Sequence, residues 1–328
     1  MSTDYLQTVH DVYAAAALKT DATLCCTAGA RLSFPDLRIP KTMLEMNYGC
    51  GSSVHPADLG GTRPILYVGV GGGMEALELA YFRRRPGGVI AVDPVREMRE
   101  AARRNLDEAA RENPWFRPEF VEILEGDAHH LPVPSGSVDV LAQNCLFNVF
   151  VEDDFLAALR ETHRVLAPGG RFSTSDPITT RPLPEALRRN QTLRARCTAG
   201  CQTYEAYLGA LAEAGFRRIL IRSRVPYRLL TPHEHPELDE PVLLESIEVV
   251  AVKDAPDACA PGERCGLEVH SGRTAIYVGT GRSEAVHGLS FAHGTPVPVS
   301  DAVAQELGRR NDFHVTASTF SARELGCC

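Results

Sequence analysis

Pro64-Ile65-Leu66-Tyr67-Val68 runs straight into Gly69-Val70-Gly71-Gly72-Gly73, and a helical pattern follows from Met74 to Phe82. The short apolar run reads as a buried strand, and the glycines let the chain turn tightly and let a ligand approach the backbone. A glycine-rich turn alone says little; its surroundings decide. Val89-Ile90-Ala91-Val92 reads as the next strand and is closed by Asp93. A carboxylate at that place, about 20 residues on, can accept ribose hydroxyl protons. A third strand, Phe120 to Leu124, leads to Glu125-Gly126-Asp127-Ala128, where Asp127 and Ala128 can meet an adenine ring.

Working outward, strand and helix keep alternating. Val95 to Ala110 has Met98, Ala101, Ala102 and Leu106 on one face, the spacing of an amphipathic helix. Val138 to Ala142 is a fourth strand, Phe155 to Leu166 a helix ended by Pro168-Gly169-Gly170, and Arg171 to Ser175 a fifth strand. Further strands are expected at Arg218 to Arg222 and Ser246 to Val252, after a helix from Tyr204 to Ala214. The pattern predicts an α/β fold with a doubly wound, mostly parallel seven-stranded sheet. Three parts are expected: residues 1–60 as an N-terminal segment, 61–254 as the core, and 255–328 as a small α+β domain with a cysteine-containing tail.

The 328 residues are 44% hydrophobic and 23% charged with a net charge of −8, ordinary for a globular chain. Its arginine clusters, such as Arg83-Arg84-Arg85, are short, so nucleic acid is not an expected partner. No stretch approaches the ~18 apolar residues of a membrane span and Met1 to Thr20 lacks a signal core, so a cytoplasmic monomer is expected. Ten cysteines are then notable, because a reducing compartment does not favour structural disulfides. Cys145 in Gln143-Asn144-Cys145 directly follows the fourth strand, Cys197 precedes the last core helix, and Cys50 sits between glycines before the first core strand. Each falls where the crevice of such a sheet opens. Cys201 reads as a small buried apolar residue. The Glu152-Asp153-Asp154 run suits the first turn of a helix, and His129-His130 reads as the surface end of a loop.

The glycine turn, the order of Asp93 and Asp127, and Val165-Leu166-Ala167-Pro168-Gly169-Gly170 before a strand resemble class I S-adenosylmethionine-dependent methyltransferases. Asn47-Tyr48-Gly49-Cys50-Gly51, Gln143-Asn144-Cys145-Leu146-Phe147-Asn148, Phe172-Ser173-Thr174-Ser175-Asp176 and Cys197-Thr198-Ala199-Gly200 are similar to arsenite methyltransferases. That likeness extends to Asp11-Val12-Tyr13, Cys25-Cys26, Arg273 to Phe313 and Cys327-Cys328. It implies that S-adenosylmethionine is bound by Tyr48, Gly69, Val70, Gly71, Asp93, Asp127, Ala128 and Asn144. It implies As(III), delivered as a thiol conjugate, on the thiolates of Cys50, Cys145 and Cys197. It further implies that Cys25 or Cys26 forms a disulfide with Cys50 as arsenic is reduced, reset by a thiol reductant of the glutathione or thioredoxin type. Soft sulfur suits such an acceptor, and thiolate, not thiol, is the ligand. The family's acidic residue two positions before the first glycine is Tyr67 here, which reads as a packed strand residue. Two other readings stay open: a small-molecule methyltransferase with structural cysteines, and a metalloid-binding or sensing protein without catalysis.

Overall fold

The structure, a computed structural model, describes residues 4–21, 24, 33–254 and 267–318. Helices α1 (Asp4–Leu18) and α2 (Lys41–Glu45) precede the core. Strand β1 (Ile65–Val68) leads through the glycine turn into α3 (Met74–Phe82); β2 (Val89–Asp93), α4 (Arg96–Glu112), β3 (Val121–Glu125), β4 (Val138–Asn144), α5 (Glu152–Val165) and β5 (Leu166–Thr179) follow. Short helices α6 (Glu185–Arg188) and α7 (Gln191–Ala195) and strand β6 (Gln202–Thr203) lead to α8 (Tyr204–Glu213). Strands β7 (Arg218–Leu230), β8 (Val242–Val252) and β9 (Glu268–His270) complete the sheet.

The strands lie in the order β3-β2-β1-β4-β5-β8-β7-β9, with β6 beside β5. Pairs from β3 through β5 are parallel, and β8 runs antiparallel to both β5 and β7. The seven expected strands are therefore present, and β6 and β9 add two short ones. Strand order reverses between β1 and β4, because the chain leaves β1 toward β2 and β3 and later returns beside β1. Open α/β sheets bind ligands at such a switch point, beyond the carboxyl ends of the strands. Gly69 through Gly73 and Cys145 sit there.

Strand β1 is buried at every position, as a central strand covered on both faces must be. Helix α4 buries Met98, Ala101, Ala102, Leu106 and Ala109, the face expected from its spacing. Truncating Leu106 to alanine would cost about 2–5 kcal/mol, as for other core leucines. Helix α5 begins at Glu152, so its three acidic residues occupy the first turn, where the helix dipole favours them. Strands β10 (Thr274–Tyr277), β11 (Ser283–Val286), β12 (Leu289–Ala292) and β13 (Pro296–Pro298), helix α9 (Asp301–Leu307) and β14 (Phe313–Val315) enclose a separate small core around Tyr277, Phe291 and Phe313. Among the described residues, no helix is long and apolar enough to cross a membrane.

Candidate active site

A cleft opens over the ends of β1, β2 and β4. Gly69, Val70, Gly71, Tyr48, Asp93, Asn144 and Cys145 line it, as do Tyr13, Tyr67, Glu75, Val95, Met98 and Leu146. At Gly71 φ is +50° and no atom lies within 4 Å of where a side chain would begin, so bare backbone faces the opening. Asp93 is buried at the tip of β2. Its Oδ2 accepts the Val70 N–H at 2.9 Å and its Oδ1 the Val95 N–H at 2.8 Å, which ties the β2 tip to the glycine turn. Burial pushes the Asp93 carboxyl up to about 6, against the pull of those N–H groups and of Arg99. Asp127 and Ala128 lie off this lining; Asp127 Oδ1 instead accepts the N–H groups of His129 (2.7 Å) and His130 (3.1 Å) and folds their loop. His129 packs on Phe150 and His130 is exposed.

The loop carrying Cys50 is held almost entirely by side chains. Asn144 is the central staple: its Oδ1 accepts the Cys50 N–H at 3.0 Å, and its Nδ2 donates to Gly51 O at 2.8 Å. The Ser246 hydroxyl donates to Cys50 O at 2.6 Å, the Ser52 N–H to Glu248 at 3.0 Å, and the Ser173 hydroxyl to Ser53 O at 2.7 Å. This packing explains the flanking glycines. A Cβ on Gly49 would stand 2.2 Å from Asn144 Nδ2, and one on Gly51 2.3 Å from Ser175 Oγ. Real Cβ atoms do not approach so closely, so either substitution forces the Asn144 or Ser175 side chain, or the loop itself, to shift.

Cys145 and Cys197 share an uncommon backbone. Their φ angles are +59° and +54°, and among the described non-glycine residues only Asp36 and His287 are also positive. Left-handed backbone costs an L-residue roughly 1–2 kcal/mol. For Cys197 the cause is visible. Helix α7 is capped by the Asn190 side chain at its start and by Arg196 at its end. The Cys197 N–H then bonds Arg194 O at 2.9 Å and the Thr198 N–H bonds Leu193 O at 2.9 Å. This is a Schellman cap with cysteine where glycine is preferred. Cys145 turns left-handed as β4 ends, its N–H still bonded to Ser175 O at 2.7 Å. Non-glycine residues held this way cluster at functional sites.

The three cysteines are buried. The Cys197 thiol donates to Cys145 O at 2.9 Å; Cys50 Sγ lies 3.7 Å from Ser175 Oγ and 4.0 Å from Asn144 Oδ1; the Tyr13 hydroxyl lies 3.7 Å from Cys197 Sγ. Cys145 faces the cleft directly, while Cys50 and Cys197 lie behind its lining. Among the described residues, no three Cys, His, Asp or Glu side chains already converge as a metal-holding group. The thiols therefore occupy one corner without forming a finished cage. Cys201, also buried, points its thiol at Cys197 O at 3.2 Å. Cys25, Cys26, Cys259, Cys265, Cys327 and Cys328 lie outside the described residues.

Tyr67 was read from the sequence only as packing, and Glu75 was not read at all. Tyr67 is buried as expected for a strand, yet it is more than packing: its hydroxyl donates to Glu75, another buried residue of the cleft wall. Glu75 stands in the first turn of α3, where acidic residues are ordinary, so its position alone gave no signal. Tyr13 and Ser175 had none beyond their place in the family-like segments.

Sheet order, switch-point cleft and glycine turn define a class I methyltransferase fold, and residues 66–174 match the family model for a methyltransferase domain. Similarity to curated proteins is narrower. The chain is 33% identical over 177 residues to the arsenite methyltransferase of Halobacterium salinarum, covering 54% of this chain and 43% of that one. It is 32% identical over 206 residues to that of Aquipseudomonas alcaligenes, covering 61% and 57%. The arsenic(III) S-adenosylmethionine methyltransferase of Chlamydomonas reinhardtii shares the fold over 90% of this chain and 99% of its own, with a TM-score of 0.58 at 21% identity. The chain spans about half the length of the curated relatives it matches. The resemblance to arsenite methyltransferases read from the sequence is thus borne out.

The lining suits S-adenosylmethionine. Asp93 offers a carboxylate at the tip of β2, Gly71 leaves room for close approach, and Val95, Met98 and Leu146 give apolar surface.

Proposed function

We propose that the chain transfers a methyl group from S-adenosylmethionine to trivalent arsenic held by the thiolates of Cys50, Cys145 and Cys197. The observation that carries this reading is the strained thiol corner. Two of its cysteines are held in left-handed backbone beside the cleft, and Asn144 fastens the third to the same strand end. Glycine would fill both strained positions without the cost, so a requirement for sulfur explains cysteine there.

When bound, S-adenosylmethionine supplies an electrophilic methyl carbon on sulfur. Asp93 and the Gly69–Gly71 turn orient the adenosyl part. The Cys197 thiol leaves Cys145 O and the Tyr13 hydroxyl, the Cys50 thiol leaves Ser175, and all three thiols pass their protons to the thiolates they displace from arsenic. Three sulfurs leave the arsenic lone pair on the fourth side of the pyramid, available to form the As–C bond. Buried walls keep water from competing. Holding acceptor and donor together can supply effective molarities of ~10⁵ M or more. Arsenic is then formally pentavalent, and its return to As(III) takes two electrons. A thiol pair closing to a disulfide supplies them, with Cys50 and either Cys25 or Cys26 as that pair. An external dithiol or glutathione reopens it by exchange. Arsenic presented as a thiol conjugate enters by the same exchange of sulfur for sulfur. Asp127 and Ala128 remain candidates for the adenine edge, reached from the loop beyond β3.

Incubation with arsenite, methyl-labelled S-adenosylmethionine and a thiol, followed by chromatography of arsenic species, tests the reading. Labelled methylated arsenic is expected. A protein that binds the cofactor product and yields none would overturn it.

A further inference from the structure

The cleft contains a buried carboxylate that the thiol chemistry leaves unused. Glu75 is 4% exposed and lines the opening. Its Oε1 accepts from the Ser53 N–H (3.2 Å), the Ser53 hydroxyl (3.2 Å) and Asn144 Nδ2 (3.1 Å), and its Oε2 accepts from the Tyr67 hydroxyl. All four donors are neutral. Among the described residues, no lysine, arginine or histidine forms an ion pair with Glu75. A carboxylate almost never lies this deep without a cation. Its place in the first turn of α3 eases the charge, but a helix end does not cancel one. Oε2 takes one bond of the two it can accept, so capacity remains on a residue of the cleft wall.

The other buried carboxylate of the lining, Asp93, sits at the β2 tip with both oxygens bonded to backbone. Glu75 lies at the other end, bonded to Asn144, whose chain neighbour is Cys145. A ligand that spans the cleft with adenosine toward Asp93 puts its amino-acid end beside Glu75. We propose that Glu75 receives the α-ammonium group of S-adenosylmethionine, with the Tyr67 hydroxyl holding the carboxylate in place. The inference rests on reading the cleft as the S-adenosylmethionine site. It gives Tyr67 and Glu75 together the task that a single carboxylate on the strand would otherwise perform. The same carboxylate holds Ser53, three residues beyond Cys50, so it touches both the cofactor's amino group and the thiol loop.

The test compares two ligands that differ by one group: S-adenosylhomocysteine and its analogue with the α-amino group replaced by hydrogen. Calorimetric titration of the full chain should show the wild type preferring the amino ligand by about tenfold or more, as charge-assisted bonds allow. Glu75→Gln should erase that preference while binding the deaminated ligand as the wild type does, which also shows that the variant is folded. Tyr67→Phe, which keeps the carboxylate, should lose only part of the preference. A purely structural Glu75 would weaken both ligands equally, and an unchanged preference in Glu75→Gln would overturn the proposal. If the wild type binds both ligands without distinguishing them, Glu75 is not the ammonium acceptor although the cofactor reading stands. If it binds neither, the cofactor reading falls and this proposal with it.

Discussion

The two ends of the cleft are built on opposite principles. At the cofactor end the left-handed positions are Gly69, Gly71 and Gly73, where such backbone carries no steric penalty. At the thiol end they are Cys145 and Cys197, where it does. One end is shaped by leaving side chains out; the other accepts strain to keep particular side chains in. Strain tolerated beside a cleft points to chemistry at that spot, and the residue type names the chemistry. Asn144 and Glu75 bridge the two ends, since each bonds both the Cys50 loop and the cleft wall.

The largest effect that bears on this contrast is functional. Cys145→Ser should lower arsenite methylation by about a hundredfold or more, because a hard hydroxyl replaces a soft ligand. It should leave S-adenosylhomocysteine affinity within about twofold, measured by titration. A comparable loss of cofactor affinity would mean that the two ends are not separable. Asn144→Ala attacks the bridge instead. It strips partners from Cys50 N–H, Gly51 O and Glu75 at once, so a stability loss of about 2–3 kcal/mol by urea denaturation is expected, with both ligand affinities impaired. Little change in stability would show that the loop does not depend on that staple.

At the cofactor end acid should act through Asp93. Asp93 sits at about 6 in the folded chain, so lowering pH through that value protonates the carboxylate proposed to accept from ribose. S-adenosylhomocysteine affinity should fall by up to about tenfold per unit below that point and level off above it. The stability term has the opposite sense. Because the folded value is raised from 3.8 to about 6, the native state holds that proton more tightly, and this group's contribution to stability falls as pH rises through the interval. Affinity that is flat down to about pH 5 would remove Asp93 from the ribose contact.

The smallest effect tests the strain itself. Cys145→Gly relieves about 1–2 kcal/mol of left-handed backbone but loses a buried thiol and adds chain entropy, so it should be neutral within about 1 kcal/mol. Cys50→Gly has no such relief and should lose about 2 kcal/mol. Equal losses by thermal or urea unfolding would contradict the strained-cysteine account.

The same contrast explains what could be read from the sequence. The cofactor end follows from local rules: an apolar run, glycines at its end, and an acidic residue closing the next strand. Strand and helix spacing carried the sheet as far as β5, and the antiparallel β7 and β8 were placed though not ordered. Two short strands, β6 and β9, were not legible, because two or three residues carry no periodicity. The thiol end depends on long-range meetings. Nothing in the sequence around Cys50 announces that Asn144, ninety-four positions on, will bond its N–H, or that Cys197 occupies a helix cap. Their places in the strand and helix order put each of the three thiols at the crevice, and the resemblance to a known family made them one set. Glu75 escaped because the pattern directed attention to position 67, where a tyrosine stands, and the carboxylate it contacts sits eight residues later on the following helix.

The central claim is that Cys50, Cys145 and Cys197 hold arsenic together at this cleft. Arsenic-edge X-ray absorption on the protein with one equivalent of arsenite and no added thiol measures it most directly. The account predicts three sulfur neighbours in the wild type and a sulfur replaced by oxygen in Cys197→Ser. An unchanged three-sulfur shell in both Cys145→Ser and Cys197→Ser would place the arsenic elsewhere and contradict it.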